Sequence, residues 1–133
     1  GNLDAYFGTE VGVKFKCAKS SLMLPKCDNV ERRNQLGALP PYFLLGLKRF
    51  GSDLSKIAKA VSFPLTLDMA KYGFKSNLEL YAVIEHRGDT LSGGHYVAYV
   101  RDAGDNWFLA NDSVLSSVTA EMVLQVEAYM LLY

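Results

Sequence analysis

The most constraining feature of this 133-residue sequence is a pair of apolar, β-like runs, residues 96–101 and 106–110, joined by a short polar stretch. Runs of this kind favour an antiparallel hairpin. His95 directly precedes the first run, after two glycines, and Asn111 and Asp112 directly follow the second. The hairpin therefore predicts that His95 and Asn111 meet at one end of a sheet. A histidine held by a neighbouring side-chain oxygen is the base and orienting residue of a nucleophilic triad.

Composition indicates one globular domain with a substantial core, because half of the residues are hydrophobic. The 14 basic and 14 acidic side chains cancel, so nothing favours nucleic acid or an anionic membrane as a partner. No apolar run approaches the roughly 20 residues that a membrane-spanning helix needs, and no signal peptide is recognisable. The two cysteines are too few for a disulfide framework. We therefore expect a soluble, intracellular protein of the cytoplasm, the nucleus or both.

The pattern of apolar runs predicts an α+β fold, mainly antiparallel β-sheet with little helix. Five or six strands are predicted, at residues 42–50, 61–67, 79–86, 96–101, 106–110 and 128–133. Pro64 restricts its strand to a sheet edge, because proline cannot donate to a central ladder. A short helix is predicted at residues 3–7 and another after Thr119, a favourable N-cap. Residues 87–94 are predicted to form a glycine-containing loop.

Each candidate residue also has a purely structural explanation. A lone histidine in an apolar setting is usually a hydrogen-bonded structural residue. Asn111, Asp112 and Ser113 all favour turns, and an aromatic residue such as Phe50 or Tyr96 needs no function beyond packing. The glycine pair before His95 and the Asn-Asp pair after the second run favour the catalytic interpretation.

Four blocks across residues 39–133 resemble the ubiquitin-specific proteases, a family of deubiquitinating cysteine proteases. They are LPPY to LKRF (39–50), YAVIEHRG and SGGHYVAY (81–99), WF and NDSV (107–114) and AYMLLY (128–133). They occur in the family's order, and residues 3–15 match more weakly. The resemblance implies a partial papain-like cysteine proteinase fold, with a fingers-like segment at 1–38 and a palm with the histidine box at 39–133. The thumb, which carries the nucleophile in this family, is absent from the sequence.

The resemblance also implies roles for individual residues. His95 matches the general base, Asn111 the residue that orients the imidazole, and Asp112 an acidic residue that supports the nucleophile or the oxyanion. The residues implied to line the channel for the ubiquitin tail, or the mobile loop over it, are Phe50, His86, Gly93, Gly94 and Tyr96. Glycine suits close approach to the two terminal glycines of ubiquitin, because a side chain would clash.

Two departures from the family pattern concern cysteine. No box resembling the family's nucleophile sequence is present, and neither Cys17 nor Cys27 has that context. We therefore expect the nucleophilic cysteine to lie outside this sequence. The paired CxxC motifs that bind zinc in many relatives are also missing, so no metal and no cofactor is predicted.

The resemblance implies a ubiquitin carboxyl-terminal hydrolase, which cleaves the isopeptide bond after the last glycine of ubiquitin. Its expected partners are ubiquitin or ubiquitinated proteins and the thumb of the same enzyme. One alternative is an inactive, ubiquitin-binding pseudoprotease or scaffold. Another is a papain-type hydrolase that acts on a ubiquitin-like modifier. Self-association of the segment is also expected, because a palm without its thumb exposes apolar surface and unpaired strand edges.

Overall fold

The structure is a computed structural model that describes residues 2–13, 30–53, 55–90 and 92–133. The chain divides into two compact units, Gly1–Ala38 and Leu39–Tyr133. In the first unit, helix α1 (Asn2–Phe7) is followed by strands β1 (Thr9–Val13) and β2 (Val30–Arg33), which pair antiparallel. The predicted short helix is therefore present. The Asn34 side-chain amide donates to the Tyr6 carbonyl oxygen at 3.0 Å.

The second unit is built on antiparallel strands. In chain order they are β3 (Leu44–Gly46), β4 (Thr66–Leu67), β5 (Leu78–Glu79), β6 (Ala82–Arg87), β7 (His95–Arg101), β8 (Trp107–Asn111), β9 (Val114–Val118) and β10 (Ala128–Leu132). Six of them form one sheet in the order β3-β10-β6-β7-β8-β9, and β4 pairs with β5. Helix α2 (Ala120–Val123) begins after Thr119, whose hydroxyl accepts from the Met122 amide as predicted. The described helices include none long and apolar enough to cross a bilayer.

The predicted fold class, mainly antiparallel sheet with little helix, is confirmed, but several strand boundaries were wrong. The predicted strand 61–67 is regular only at β4. Before β4, the carbonyl of Pro64 accepts from the side-chain hydroxyl of Tyr133 rather than from a neighbouring strand. The predicted strand 79–86 is interrupted because the Leu80 amide donates to Leu65 and the Tyr81 amide to Leu132. The chain there passes from the small sheet to the large one.

Two further differences have local causes. The predicted strand 42–50 is regular only at β3, because its end bends into a separate bridge between Phe50 and Lys56. Strand β9 was not predicted, since two of its five residues are serine, and every residue but Val118 is exposed. Pairing with β8 makes it a strand. Its conformation is therefore decided by its neighbour rather than by its composition.

Most of the buried apolar side chains of the six-stranded sheet lie on one of its faces. Residues that are opposite in a ladder share a face, and so do alternate residues along a strand. By this rule one face carries a set of side chains that are at most 6% exposed: Val83, Val97, Tyr99, Trp107 and Leu131. His95 and Asn111 belong to the same face, at the end of the sheet where β7 begins. His95 and Asn111 thus lie beside the buried core on that face of the sheet.

The loop between β6 and β7 requires glycine at two positions. Gly88 and Gly94 have φ angles of +157° and +153°, which side chains rarely adopt. A Cβ atom on Gly94 would overlap Nε2 of His86 and lie 2.7 Å from Cε1 of the same ring. The imidazole of His86 therefore occupies the space next to Gly94, directly before His95.

Replacing Gly94 with alanine should destabilise the chain by about 2 kcal/mol, because the added methyl group displaces His86 and the φ angle is unfavourable. Gly93→Ala is the matched control, since its nearest neighbour would be the flexible Thr90 hydroxyl at 3.3 Å. Urea unfolding of both variants measures the difference. Equal stability losses would contradict the packing of His86 against Gly94.

Tyr133 should make stability depend on alkaline pH. Its side chain is 3% exposed and its hydroxyl donates to the Pro64 carbonyl at 2.9 Å. Burial raises the pKa of Tyr133 from 10.0 to about 12. Because the unfolded chain loses this proton first, the stabilising contribution is complete below pH 10 and is lost as the pH rises towards 12.

The variant Tyr133→Phe isolates this contribution. Near neutral pH it should be less stable than the original chain by about 1 kcal/mol, because it lacks the hydrogen bond. That deficit should shrink between pH 10 and 12, since the phenylalanine does not ionise. Urea unfolding across this range tests the sign, and a deficit that does not change with pH would contradict it.

Candidate active site

The β7–β8 hairpin brings His95 and Asn111 together. Ala98 pairs with Ala110, so Asn111 follows one residue along β8 and lies diagonally across from His95 on the same face. Nε2 of His95 is 2.6 Å from Oδ1 of Asn111. An amide oxygen only accepts, so Nε2 carries the proton and the lone pair of Nδ1 is left as the proton acceptor. The pair has the arrangement of a base and the residue that orients it.

Asp112 occupies the first position of a two-residue turn between β8 and β9, which is closed by the pair Asn111 and Val114. Its φ angle of 51° is left-handed, a conformation that aspartate tolerates better than most residues and that short hairpins favour. The carboxylate is 81% exposed, and Oδ2 lies 3.9 Å from Nε2 of His95. The turn and site interpretations of this segment are therefore compatible. Asp112 faces the imidazole without hydrogen bonding to it.

Three of the predicted channel residues meet in an aromatic cluster, which also contains Tyr129. The cluster consists of Phe50, His86, Tyr96 and Tyr129. The His86 ring lies 4.7 Å from that of Tyr96 and 6.0 Å from that of Phe50, centroid to centroid. His86 and Tyr96 are directly opposite in the β6–β7 ladder and alternate with His95, so they project from the other face of the sheet. The structure thus separates the predicted site residues into two groups.

His86 is fixed by packing and through its backbone. The side chain is 4% exposed, and its Nδ1 is buried without a hydrogen-bond partner among the described residues. Its carbonyl oxygen accepts from Lys56 Nζ at 2.8 Å, and the same ammonium pairs with Glu127 at 3.2 Å. Gly94 therefore makes room for this imidazole. Gly93, the other glycine predicted to approach a ligand, is exposed.

Tyr129 is a member of the cluster that the sequence analysis did not single out. It is the extra residue of a bulge in β10, between Ala128 and Met130, where the register with β6 shifts. Its ring lies 5.7 Å from that of Tyr96 and 6.4 Å from that of Phe50. Beside the cluster is an open cavity of about 360 Å³, lined by residues 46–50 with Tyr129 and Met130. The apolar run at 128–133 was visible in the sequence, but the bulge that turns Tyr129 was not.

Tyr96 combines exposure with a hydroxyl that keeps its proton. Its side chain is 52% exposed, at the outer edge of the cluster. Partial desolvation, followed by the neighbouring Tyr129, raises the pKa of Tyr96. Tyr96, which directly follows His95 in the sequence, therefore presents a neutral ring with one apolar and one polar part.

The described residues contain a base but no thiol. Cys17 and Cys27 lie outside the residues that the structure describes, so their predicted lack of a catalytic role is not tested. Within the described ranges, no group of three or more His, Cys, Asp or Glu side chains could hold a metal ion. The arrangement can accept, hold and return a proton at His95. A covalent step needs a nucleophile from elsewhere.

Comparison with known sequences identifies the family. A family model described as ubiquitin carboxyl-terminal hydrolase matches residues 9–133. Ubiquitin carboxyl-terminal hydrolase 19 of Arabidopsis thaliana is 39% identical over 125 residues, which are 83% of this chain and 18% of that protein. Ubiquitin carboxyl-terminal hydrolase 42 of Homo sapiens is 34% identical over 125 residues, 90% of this chain and 9% of that protein. The chain thus spans less than a fifth of the length of these relatives.

Solved structures share the fold. The SAGA DUB module containing Ubp8, bound to monoubiquitin, matches with a TM-score of 0.79 and 31% identity, over 98% of this chain and 31% of that chain. A yeast SAGA DUB module with an Sgf73 mutant matches with a TM-score of 0.81 and 30% identity, again over 98% of this chain and 31% of the other. These likenesses confirm the predicted partial papain-like fold. Because the family match includes His95, Asn111 and the whole aromatic cluster, the chain belongs to the ubiquitin carboxyl-terminal hydrolase family.

Proposed function

We propose that this chain supplies the base and orienting residues of a cysteine-type deubiquitinase. The observation that carries the proposal is the 2.6 Å contact between His95 Nε2 and Asn111 Oδ1, which leaves Nδ1 as the proton acceptor. The named relatives are ubiquitin carboxyl-terminal hydrolases, and a structural neighbour binds monoubiquitin. Residues 1–38 are proposed to be part of the fingers and residues 39–133 the palm.

In the proposed reaction, Nδ1 of His95 takes the proton from a cysteine thiol that lies outside these 133 residues. The thiolate attacks the carbonyl carbon of the last glycine of ubiquitin and forms a tetrahedral oxyanion. When this collapses to a thioester, His95 returns the proton to the departing lysine amine. Water then attacks the thioester with His95 again as base, and cysteine is released.

Asn111 and Asp112 have different proposed roles. Asn111 holds the imidazole in the Nε2–H tautomer, so that the lone pair of Nδ1 faces the thiol. The Asp112 carboxylate, 3.9 Å from Nε2, stabilises the imidazolium electrostatically while the proton resides on His95. Because Asp112 is 81% exposed, solvent screens this effect and Asn111 is expected to contribute more.

The aromatic cluster is proposed to bind the C-terminal tail of ubiquitin. His95 and Tyr96 are consecutive residues that project from opposite faces at the start of β7. A chain that passes Tyr96 would therefore reach His95 at the strand end. The exposed Tyr96 ring and the exposed Gly93 leave space for a narrow, glycine-rich tail. Buried His86 packs against the Tyr96 ring, and half-buried Phe50 packs against His86.

The proposed base and orienting roles predict a specific loss of activity. In a longer protein that extends this chain upstream to the thiol, His95→Ala should abolish cleavage of a fluorogenic ubiquitin C-terminal amide. Asn111→Ala should lower kcat on the order of 100-fold with little change in KM, because the imidazole loses its orientation. Asn106→Ala is the matched control, since Asn106 lies in the turn at the other end of β8 and its side-chain amide hydrogen bonds to Asp102 there.

The same assay separates the alternatives. The 133-residue chain alone should show no turnover, and turnover that survives both Cys17→Ala and Cys27→Ala would contradict the mechanism. A folded, extended protein that binds ubiquitin without cleaving it would instead support the pseudoprotease alternative. Competition between tails of ubiquitin and of ubiquitin-like modifiers tests the substrate class.

We also propose that the isolated chain self-associates through its sheet edges. The two edge strands, β3 and β9, carry the exposed apolar residues Leu44, Val114 and Leu115, which are 57–63% exposed. Exposed edges with apolar side chains favour pairing with another strand. Light scattering after size exclusion should show dimers or larger species, and Leu115→Lys should shift the chain towards monomer. A monomeric original chain at high concentration would contradict the proposal.

A further inference from the structure

Beside the proposed site, Glu85, Arg87 and Tyr99 form a closed triangle of hydrogen bonds, here called the Arg87 cluster. Arg87 Nε donates to Glu85 Oε2 at 3.0 Å, and Arg87 Nη2 donates to the Tyr99 hydroxyl at 3.0 Å. The Tyr99 hydroxyl in turn donates to the same Glu85 oxygen at 3.0 Å. Each of the three side chains thus hydrogen bonds to the other two, and none of them takes part in the proposed proton transfer.

The protonation states support this pattern. The hydrogen bond from Arg87 to Glu85 raises the pKa of Arg87, so the guanidinium stays charged. Burial, more than any other influence, raises the pKa of Tyr99, so its hydroxyl keeps the proton that it donates to Glu85. The Tyr99 side chain is buried and the Glu85 side chain is only 16% exposed. Solvent therefore competes weakly for these two members of the cluster.

The Arg87 cluster lies on the same face of the sheet as His95 and Asn111. Arg87 is directly opposite His95 in the β6–β7 ladder, and Glu85 is opposite Val97. Opposite residues share a face, as do alternate residues along β7. The cluster therefore connects the two strands across the ladder, with its guanidinium on the residue paired with the proposed base.

The pair of Arg87 and His95 lies at the end of the β6–β7 ladder. Arg87 ends β6 and His95 begins β7, so their pair is the last of the ladder before the glycine loop. Ladder ends open more readily than their centres, because fewer neighbours hold them. Asn111, the last residue of β8, is held by its pairing with Val114 of β9. The contact of His95 with Asn111 therefore depends on how firmly the pair of Arg87 and His95 holds the start of β7.

We propose that Glu85, Arg87 and Tyr99 are positioning residues that hold the end of the β6–β7 ladder closed and so keep the His95 imidazole on Asn111. The cluster joins the strands by side chains, from Arg87 at the end of the β6–β7 ladder to Tyr99, which pairs with Val83 further along the ladder. The proposal deepens the proposed function, but its first test does not require activity.

The test uses ¹⁵N-labelled 133-residue chain, whose only two imidazoles are His86 and His95. Long-range ¹⁵N–¹H correlation spectra distinguish the tautomers of each ring. We expect His95 in the Nε2–H form in the original chain, and a mixture of tautomers in both Arg87→Gln and the more conservative Tyr99→Phe, as the imidazole leaves Asn111. His86 should keep its signals in both variants, since it lies on the other face.

Arg101→Gln is the matched control. Arg101 is at the other end of β7 on the same face, and it also pairs with carboxylates, at 3.6 Å to Asp105 and 3.9 Å to Glu79. This variant should leave the His95 tautomer unchanged. If His95 keeps its Nε2–H form in folded Arg87→Gln and Tyr99→Phe chains, the proposal is overturned. A mixture of tautomers in the original chain would instead contradict the proposed function.

A second readout separates positioning from general stability. In the extended, active protein, Arg87→Gln should lower kcat about tenfold while KM stays within about twofold, because a misplaced base slows proton transfer without weakening substrate binding. Arg101→Gln should change neither constant, even where it lowers thermal stability. Equal effects of the two substitutions on kcat would overturn the positioning role.

Discussion

The register of β7 between β6 and β8 is the constraint on which the site depends. Ladder pairs such as His86 with Tyr96 and Ala98 with Ala110 fix which side chains share a face. A slip of one residue would exchange the faces of every side chain in the strand. The apolar residues Val97 and Tyr99 prevent this slip, because they would leave the core. The same burial that stabilises the sheet therefore places His95 beside Asn111.

The start of β7 joins two environments. His95 belongs to the face that carries the core, whereas Tyr96 belongs to the aromatic cluster on the other face. In the loop before them, Gly94 leaves room for the His86 ring. The proton acceptor and the proposed tail-binding surface are therefore consecutive in sequence and rigidly linked, although they face opposite sides of the sheet.

A buried arginine, Arg49, stabilises the segments that carry the aromatic cluster. Arg49 is 3% exposed, and its guanidinium donates to the carbonyl of Ala128 at 2.9 Å and to the carbonyls of Ile57 and Lys59. These bonds join the segment around Phe50 to β10, where the bulge carries Tyr129. Charged donors form strong hydrogen bonds to carbonyls in a dry environment. Arg49 thus links the segments that carry Phe50 and Tyr129, whose rings both contact His86.

Much of the site could be predicted because it depends on short-range pattern. Two apolar runs with a turn between them specify the hairpin, and the hairpin alone brings His95 to Asn111. Thr119 likewise predicted its helix, since an N-cap acts within one turn. Strand β9 could not be predicted, because its pairing with β8 overrides a serine-containing, exposed sequence.

The sequence by itself determined the family, the antiparallel fold class and the pairing of His95 with Asn111, because these follow from local periodicity and from motifs in a fixed order. Only the tertiary structure decided which residues share a face. The bulge at Tyr129, the imidazole of His86 against Gly94, and the Arg87 cluster opposite His95 all arise where distant strands meet. Such contacts depend on ladder register and on the space between side chains, and neither quantity is written in the order of residues along one strand.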